Sequence, residues 1–177
     1  MLKNIGIAIC LVVLCSSCDK LDELTKFDIA YNQRVTIPSS TGIDLPFDII
    51  TPEIETNSES KFEVNDTRKD LIEEIRLTEL EMVIISPTEA DFSFLNSVEV
   101  YISADGLEEI LVASLDEVPE NAGNTILLNT ADVDLKEYIK KDAFSLRLNT
   151  VTDELMSSDH EIDVNSTFFV DAKILGL

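Results

Sequence analysis

Along most of the chain apolar side chains recur at every second position, the period at which a strand turns one face inward. Phe27, Ile29, Tyr31, Val35 and Ile37 share one parity while Asp28, Asn32, Arg34 and Thr36 fill the other, which predicts a half-buried strand. Ile43, Leu45, Phe47 and Ile49 repeat the pattern against Asp44 and Asp48, and Pro46, lacking a ladder donor, assigns this segment to a sheet edge. Leu80, Met82 and Ile84 share a face with Val83 and Ile85 opposite, the pattern of a central strand. Val98, Val100 and Ile102 alternate with Glu99, Tyr101 and Ser103, and the turn signal Asp105-Gly106 leads into Ile110 to Leu115, so a hairpin is expected. Phe144, Leu146 and Leu148 form another strand, and the chain closes on Ile162, Val164, Phe168, Val170, Ala172 and Ile174. Short strands are expected at Phe62-Glu63-Val64 and from Thr125 to Leu128.

Two helices interrupt this pattern. Thr67-Arg68-Lys69-Asp70 fits a capping box, in which a hydroxyl and a carboxylate satisfy the opening amides, followed by an apolar stripe at Leu71, Ile72 and Ile75. A second helix is predicted from Asp132 to Lys141, with acids in its first turn, Leu135, Tyr138 and Ile139 on one side, and Lys140-Lys141 in its last turn. Each is too short to stand alone in water. With closely spaced strands, no βαβ alternation and no repeat, the expected architecture is all-β: a two-sheet antiparallel, immunoglobulin-like β-sandwich over residues 26–177, its open ends plugged by two short helices.

The N-terminus follows another rule. Lys3 precedes an apolar run from Ile5 to Leu14, too short to span a bilayer, and small residues then lead to a cysteine. Residues 1–17 read as a signal peptide. Ser16-Ser17-Cys18 resembles the lipobox of Gram-negative bacterial lipoproteins, with Cys15 standing where that family usually has Leu. The resemblance implies that Cys18 is acylated and becomes the mature N-terminus, that residues 18–25 form the lipidated cysteine and a charged tether, and that the outer membrane, at its cell-surface or periplasmic face, receives the protein. Cys10 and Cys15 lie in the discarded segment, so no intramolecular disulfide and no thiolate metal site is expected. One acyl chain anchors marginally, whereas three make attachment effectively permanent at about 0.8 kcal/mol per methylene.

The segment from Leu80 to Pro87, the run Phe92 to Leu95 and the strand Val98 to Ser103 together resemble immunoglobulin-like lipoprotein domains of unknown function. They are distantly similar to the sandwiches of late-embryogenesis-abundant type 2 proteins. These are packing motifs, so the resemblance implies a fold and carries no functional residue.

Charge narrows the partners. With 35 acidic residues against 13 basic, the formal net charge is −22, which excludes nucleic acid, whose binding depends on Lys and Arg displacing counterions. A hydrophobic content of 45% nonetheless marks a folded domain. The single histidine, His160, sits in Ser158-Asp159-His160-Glu161. Without a second His or a surviving thiol it makes a poor zinc site and reads as an exposed turn residue. The carboxylate groupings Asp132 with Asp134, Asp153 with Glu154, and Asp159 with Glu161 and Asp163 suit glycosidase chemistry in principle, but their abundance makes no pair distinctive. Five glycines, none in a phosphate-cradling motif, disfavour nucleotides. Tyr101, on the polar side of its strand beside Glu99, is a candidate for an exposed contact surface. No catalytic residue, metal ligand or cofactor is assigned. The expected role is a non-enzymatic, lipid-anchored accessory or interaction module, with membrane and envelope proteins as partners. The alternative is a calcium- or small-ligand-binding lipoprotein using loops at one end of the sandwich.

Overall fold

A computed structural model describes residues 25–39 and 42–173. Residues 1–17, Cys18, the tether up to Leu24, and Ile174 lie outside them. The described residues form two antiparallel sheets packed as a sandwich, with two short helices.

One sheet has the order β1 (Lys26–Ile37), β10 (His160–Ala172), β4 (Ile72–Ser86), β7 (Thr125–Leu127). The other, six-stranded, runs β2 (Pro46–Ile50), β9 (Ala143–Thr152), β5 (Leu95–Ala104), β6 (Ile110–Leu115), β8 (Asn129–Thr130), and β3 (Ile54–Glu55) also pairs with β9. β1 and β10 pair without interruption from Lys26 opposite Asp171 to Ile37 opposite His160. β2, with Pro46 as its first residue, lies at a sheet edge, and β4 is paired on both sides. β5 and β6 make the expected hairpin around Gly106, whose φ of 72° suits a residue without a Cβ.

Inward-facing residues of the two sheets form one core that includes the fully buried Phe62, Phe92, Phe144 and Phe168. Tyr31 and Phe168 from one sheet meet Phe144 from the other, with ring centroids 5.3, 5.8 and 6.0 Å apart in edge-to-face geometry, an arrangement favoured by the ring quadrupoles. The Tyr31 hydroxyl donates to the carbonyl of Thr56 at 2.9 Å.

Three expectations are corrected. Phe62-Glu63-Val64 is not a strand: α1 spans Ser58–Glu63. Asn57 in the left-handed region opens it, the left-handed Asp66 follows it, and Phe62 is its one large buried side chain while Val64 is 80% exposed. The helix expected after Thr67 is one 3₁₀ turn, Lys69–Leu71, after which Ile72 already belongs to β4. The helix expected over Asp132 to Lys141 shrinks to the single turn α2, Lys136–Ile139, with Leu135, Tyr138 and Ile139 buried as expected. Its approach, Ala131 to Asp134, is spent returning the chain from β8 to β4, where Leu135 N–H donates to Ile75 O at 2.7 Å.

α1, α2 and the β5–β6 turn share one end of the sandwich, the end at which β1 begins. Phe62 meets Phe27 at 6.3 Å, Lys136 Nζ donates to Glu73 O, and Tyr138 Oη donates to Glu108 O. The opposite end holds the β1–β2, β4–β5, β6–β7 and β9–β10 connections, tied together by Asp44 N–H to Thr152 O, Asp153 N–H to Phe94 O and Phe92 N–H to Gly123 O.

Candidate functional site

The outer face of the six-stranded sheet brings Tyr101 together with residues that period-two reading left on separate strands. Its hydroxyl donates to Glu99 Oε2 at 2.9 Å, and the Arg147 guanidinium lies 4.3 Å from the centre of its ring. Arg147, from β9, donates to Glu109 at 2.6 Å and to Asp48 at 2.7 Å, and Asn149 Nδ2 donates to the same Asp48 oxygen at 2.7 Å. The hydrogen bonds from Asn149 and Arg147 hold the Asp48 carboxyl below the usual carboxylate range. The hydrogen bond to Glu99, with some burial, raises the Tyr101 phenol above its ordinary value, and Glu109 and Asp48 hold Arg147 firmly protonated. Asp48, Glu99, Tyr101, Glu109, Arg147 and Asn149 thus form one cluster spanning β2, β9, β5 and the turn before β6, in which hydrogen bonds join Tyr101 to Glu99 and Arg147 to Glu109 and Asp48, and the Arg147–Tyr101 cation–π contact joins the two groups. In sequence, Arg147 and Asn149 are only polar positions of an alternating strand; what joins them to Tyr101 is cross-strand register.

Two open depressions, of about 540 and 390 Å³, adjoin at the helical end and share Glu53, Asp142 and Ala143. In the first of them Lys69 Nζ stands 3.7 Å from Glu59 and 4.0 Å from Asp142. Among the described residues no group of three or more His, Cys, Asp or Glu is arranged to hold a metal ion.

His160 is not an exposed turn residue. It opens β10, is 7% exposed, and packs on Phe94 with ring centroids 4.7 Å apart. Its Nδ1 lies 3.0 Å from Ser158 O. The reason is topological: it pairs with Ile37 at the end of β1, which turns its side chain into the core.

Two of the three carboxylate groupings, Asp132 with Asp134 and Asp159 with Glu161 and Asp163, have structural partners. Asp132 pairs with Arg76. Asp134 accepts from the Ile75 and Lys136 amides; burial pushes its carboxyl up, but those hydrogen bonds and the Lys136 ammonium outweigh it and leave it lowered. Asp163 binds Arg34 at 2.7 Å and is lowered chiefly by that bond. Asp159 accepts from the Ser39 N–H and hydroxyl, which lower it, and Glu161 lies 3.7 Å from Arg34. Cys18 lies outside the described residues.

No protein-family model matches the chain, and no curated protein matches it. Among solved structures it is similar to the capsid of Helicobacter pylori bacteriophage KHP30, at 9% identity and a TM-score of 0.37 over 84% of this chain and 98% of that one. It is also similar to the BFDV capsid protein, at 7% and 0.37 over 84% and 99%, and to Tomato Aspermy Virus, at 13% and 0.32 over 83% and 79%. At these scores nothing specific to the capsid proteins transfers to this chain.

Proposed function

We propose that the protein is a non-enzymatic, lipid-anchored component of a bacterial cell envelope, held at the outer membrane through acylated Cys18, whose β-sandwich serves as an accessory or protein-interaction module. The observation that carries this reading is Ser16-Ser17-Cys18 directly after the apolar run from Ile5 to Leu14. The fold is compatible with a short mooring: β1 begins at Lys26, eight residues after Cys18, and eight residues reach at most about 28 Å. A non-enzymatic role is favoured by the engagement of Asp132, Asp134, Asp159 and Asp163 in ion pairs and backbone caps, where they fix loops and strand ends. The acidic balance suits envelope proteins and not nucleic acid as partners.

Fractionation of producing cells tests the anchor. Wild-type chain is expected in the membrane fraction, with a mature N-terminal cysteine carrying the mass of its acyl groups, and Cys18→Ser is expected to leave that fraction. A Cys18→Ser chain that stays bound, or a mature N-terminus elsewhere or unmodified, would overturn the reading.

A further inference from the structure

The registers of the six-stranded sheet set four outward side chains directly opposite one another: Ile50 on β2 faces Arg147 on β9, Arg147 faces Tyr101 on β5, and Tyr101 faces Leu111 on β6. At about 4.8 Å per strand this row is about 14 Å long. Its ends are apolar and uncovered, with Ile50 66% and Leu111 37% exposed. Carboxylates border it: Asp48 and Glu99 lie one row along, and Glu109 reaches in from the turn.

We infer that this row is a docking surface for a protein segment that combines Lys or Arg with apolar side chains. The inference rests on the proposed interaction role and names its site and partner class. A half-buried Tyr and Arg at the centre of an apolar strip is the composition that dominates protein–protein binding energy. Arg147 is fixed before any partner arrives, because Glu109 and Asp48 hold its nitrogens while its plane lies over Tyr101; little side-chain freedom is then left to lose on docking. Three carboxylates against one guanidinium leave the patch negative. A second copy, meeting it face to face, would bring like charges together, and anionic ligands are repelled. A sugar ring finds one face of Tyr101 already taken by Arg147. A cationic segment meets no such obstacle: its basic groups face Asp48, Glu99 and Glu109 while its apolar groups cover Ile50 and Leu111.

The test uses the full chain bearing Cys18→Ser, so that the outcome does not depend on the lipid, and fluorescent Lys/Leu, Glu/Leu and Lys/Ser peptides read by anisotropy. The Lys/Leu peptide is expected to bind best, and Ile50→Ser with Leu111→Ser, which leaves the charge unchanged, is expected to weaken it about tenfold or more. The control pair Val64→Ser with Leu155→Ser, at residues 80% and 74% exposed elsewhere on the surface, is expected to change binding less than about twofold. Equal effects from both pairs, no effect from either, or binding of Glu/Leu or Lys/Ser as tight as Lys/Leu would overturn the docking surface. The anchor reading falls only by the fractionation result.

Discussion

Two buried hydroxyls show how the same chemistry acquires opposite sign. Tyr31 Oη has a partner, the Thr56 carbonyl at 2.9 Å, whereas Thr67 Oγ1 is buried with no hydrogen-bond partner in the structure. The sequence around Thr67 fits a helix cap, and a cap hydroxyl replaced by an apolar group costs about 1 kcal/mol. Here the 3₁₀ turn after it has Arg68 at its cap position and no side-chain cap bond, and the Thr67 N–H donates to Phe62 O at 3.0 Å. Thr67→Val keeps the shape and removes a desolvated, unpaired oxygen, so it is expected to stabilise the protein by about 1 kcal/mol. Tyr31→Phe leaves the Thr56 carbonyl unpaired and is expected to cost about 1 to 2 kcal/mol. Denaturant midpoints at unchanged slope measure both; a destabilised Thr67→Val would mean that the hydroxyl caps the turn after all.

At the scale of elements, strands of unbroken period two were legible from the residues alone: β1, β5, β9 and β10 lie where their alternation placed them. Legibility failed where the period breaks. Buried positions on β4 run Ile72, Ile75, Leu77, Leu80, Met82, Ile84, and the first interval of three is the spacing of a helix face. The cause is register: pairing with β10 skips Glu73, Thr78 and Ile85, and each extra residue reverses the parity of the strand positions beyond it. A bulge and a helical turn therefore leave the same local trace, and only the partner strand distinguishes them. α1 was invisible because Phe62 is too little to make a period. The candidate site divides in the same way: Tyr101 was legible as an apolar-capable residue on a polar face, while Arg147, Ile50 and Leu111 became its neighbours only through register. The bulges have an energetic consequence. Leu80→Ala, at a fully buried position between two of them, is expected to cost about 3 kcal/mol. Ile85→Ala, on the same strand but 40% exposed at the second of these two bulges, is expected to cost less than about 1 kcal/mol. Similar losses at both sites in chemical denaturation would contradict the register.

Over the whole molecule the two ends of the sandwich are both acidic but differ in whether bases stand among the acids. Segments 38–45, 87–94, 116–124 and 153–159, at the end away from the start of β1, carry nine acids and neither Lys nor Arg. At the end where β1 begins, Lys61, Arg68, Lys69, Lys136, Lys140, Lys141 and Lys173 stand among the carboxylates, and Lys69, Lys136, Lys140 and Lys173 are in ion pairs with them. If Cys18 is acylated, as proposed, the tether of eight residues brings this mixed end within about 28 Å of the headgroups. β10, at 13 residues, separates the two ends by about 43 Å. The connections at the helical end, 51–71, 105–109 and 131–142, carry thirteen acids against six bases, so both ends are net acidic and an anionic surface, acting over a Debye length of about 8 Å, repels each of them while the tether fixes which end stays near it. The body is therefore expected to stand on its helical end and present the base-free end outward. Spin-labelled headgroups in anionic vesicles measure this: a reporter at Asp142 is expected to relax strongly and one at Glu120 weakly, with the contrast shrinking as salt is added. Equal relaxation at both positions at low ionic strength would mean that the sandwich lies flat and that repulsion from the surface does not hold its untethered end away.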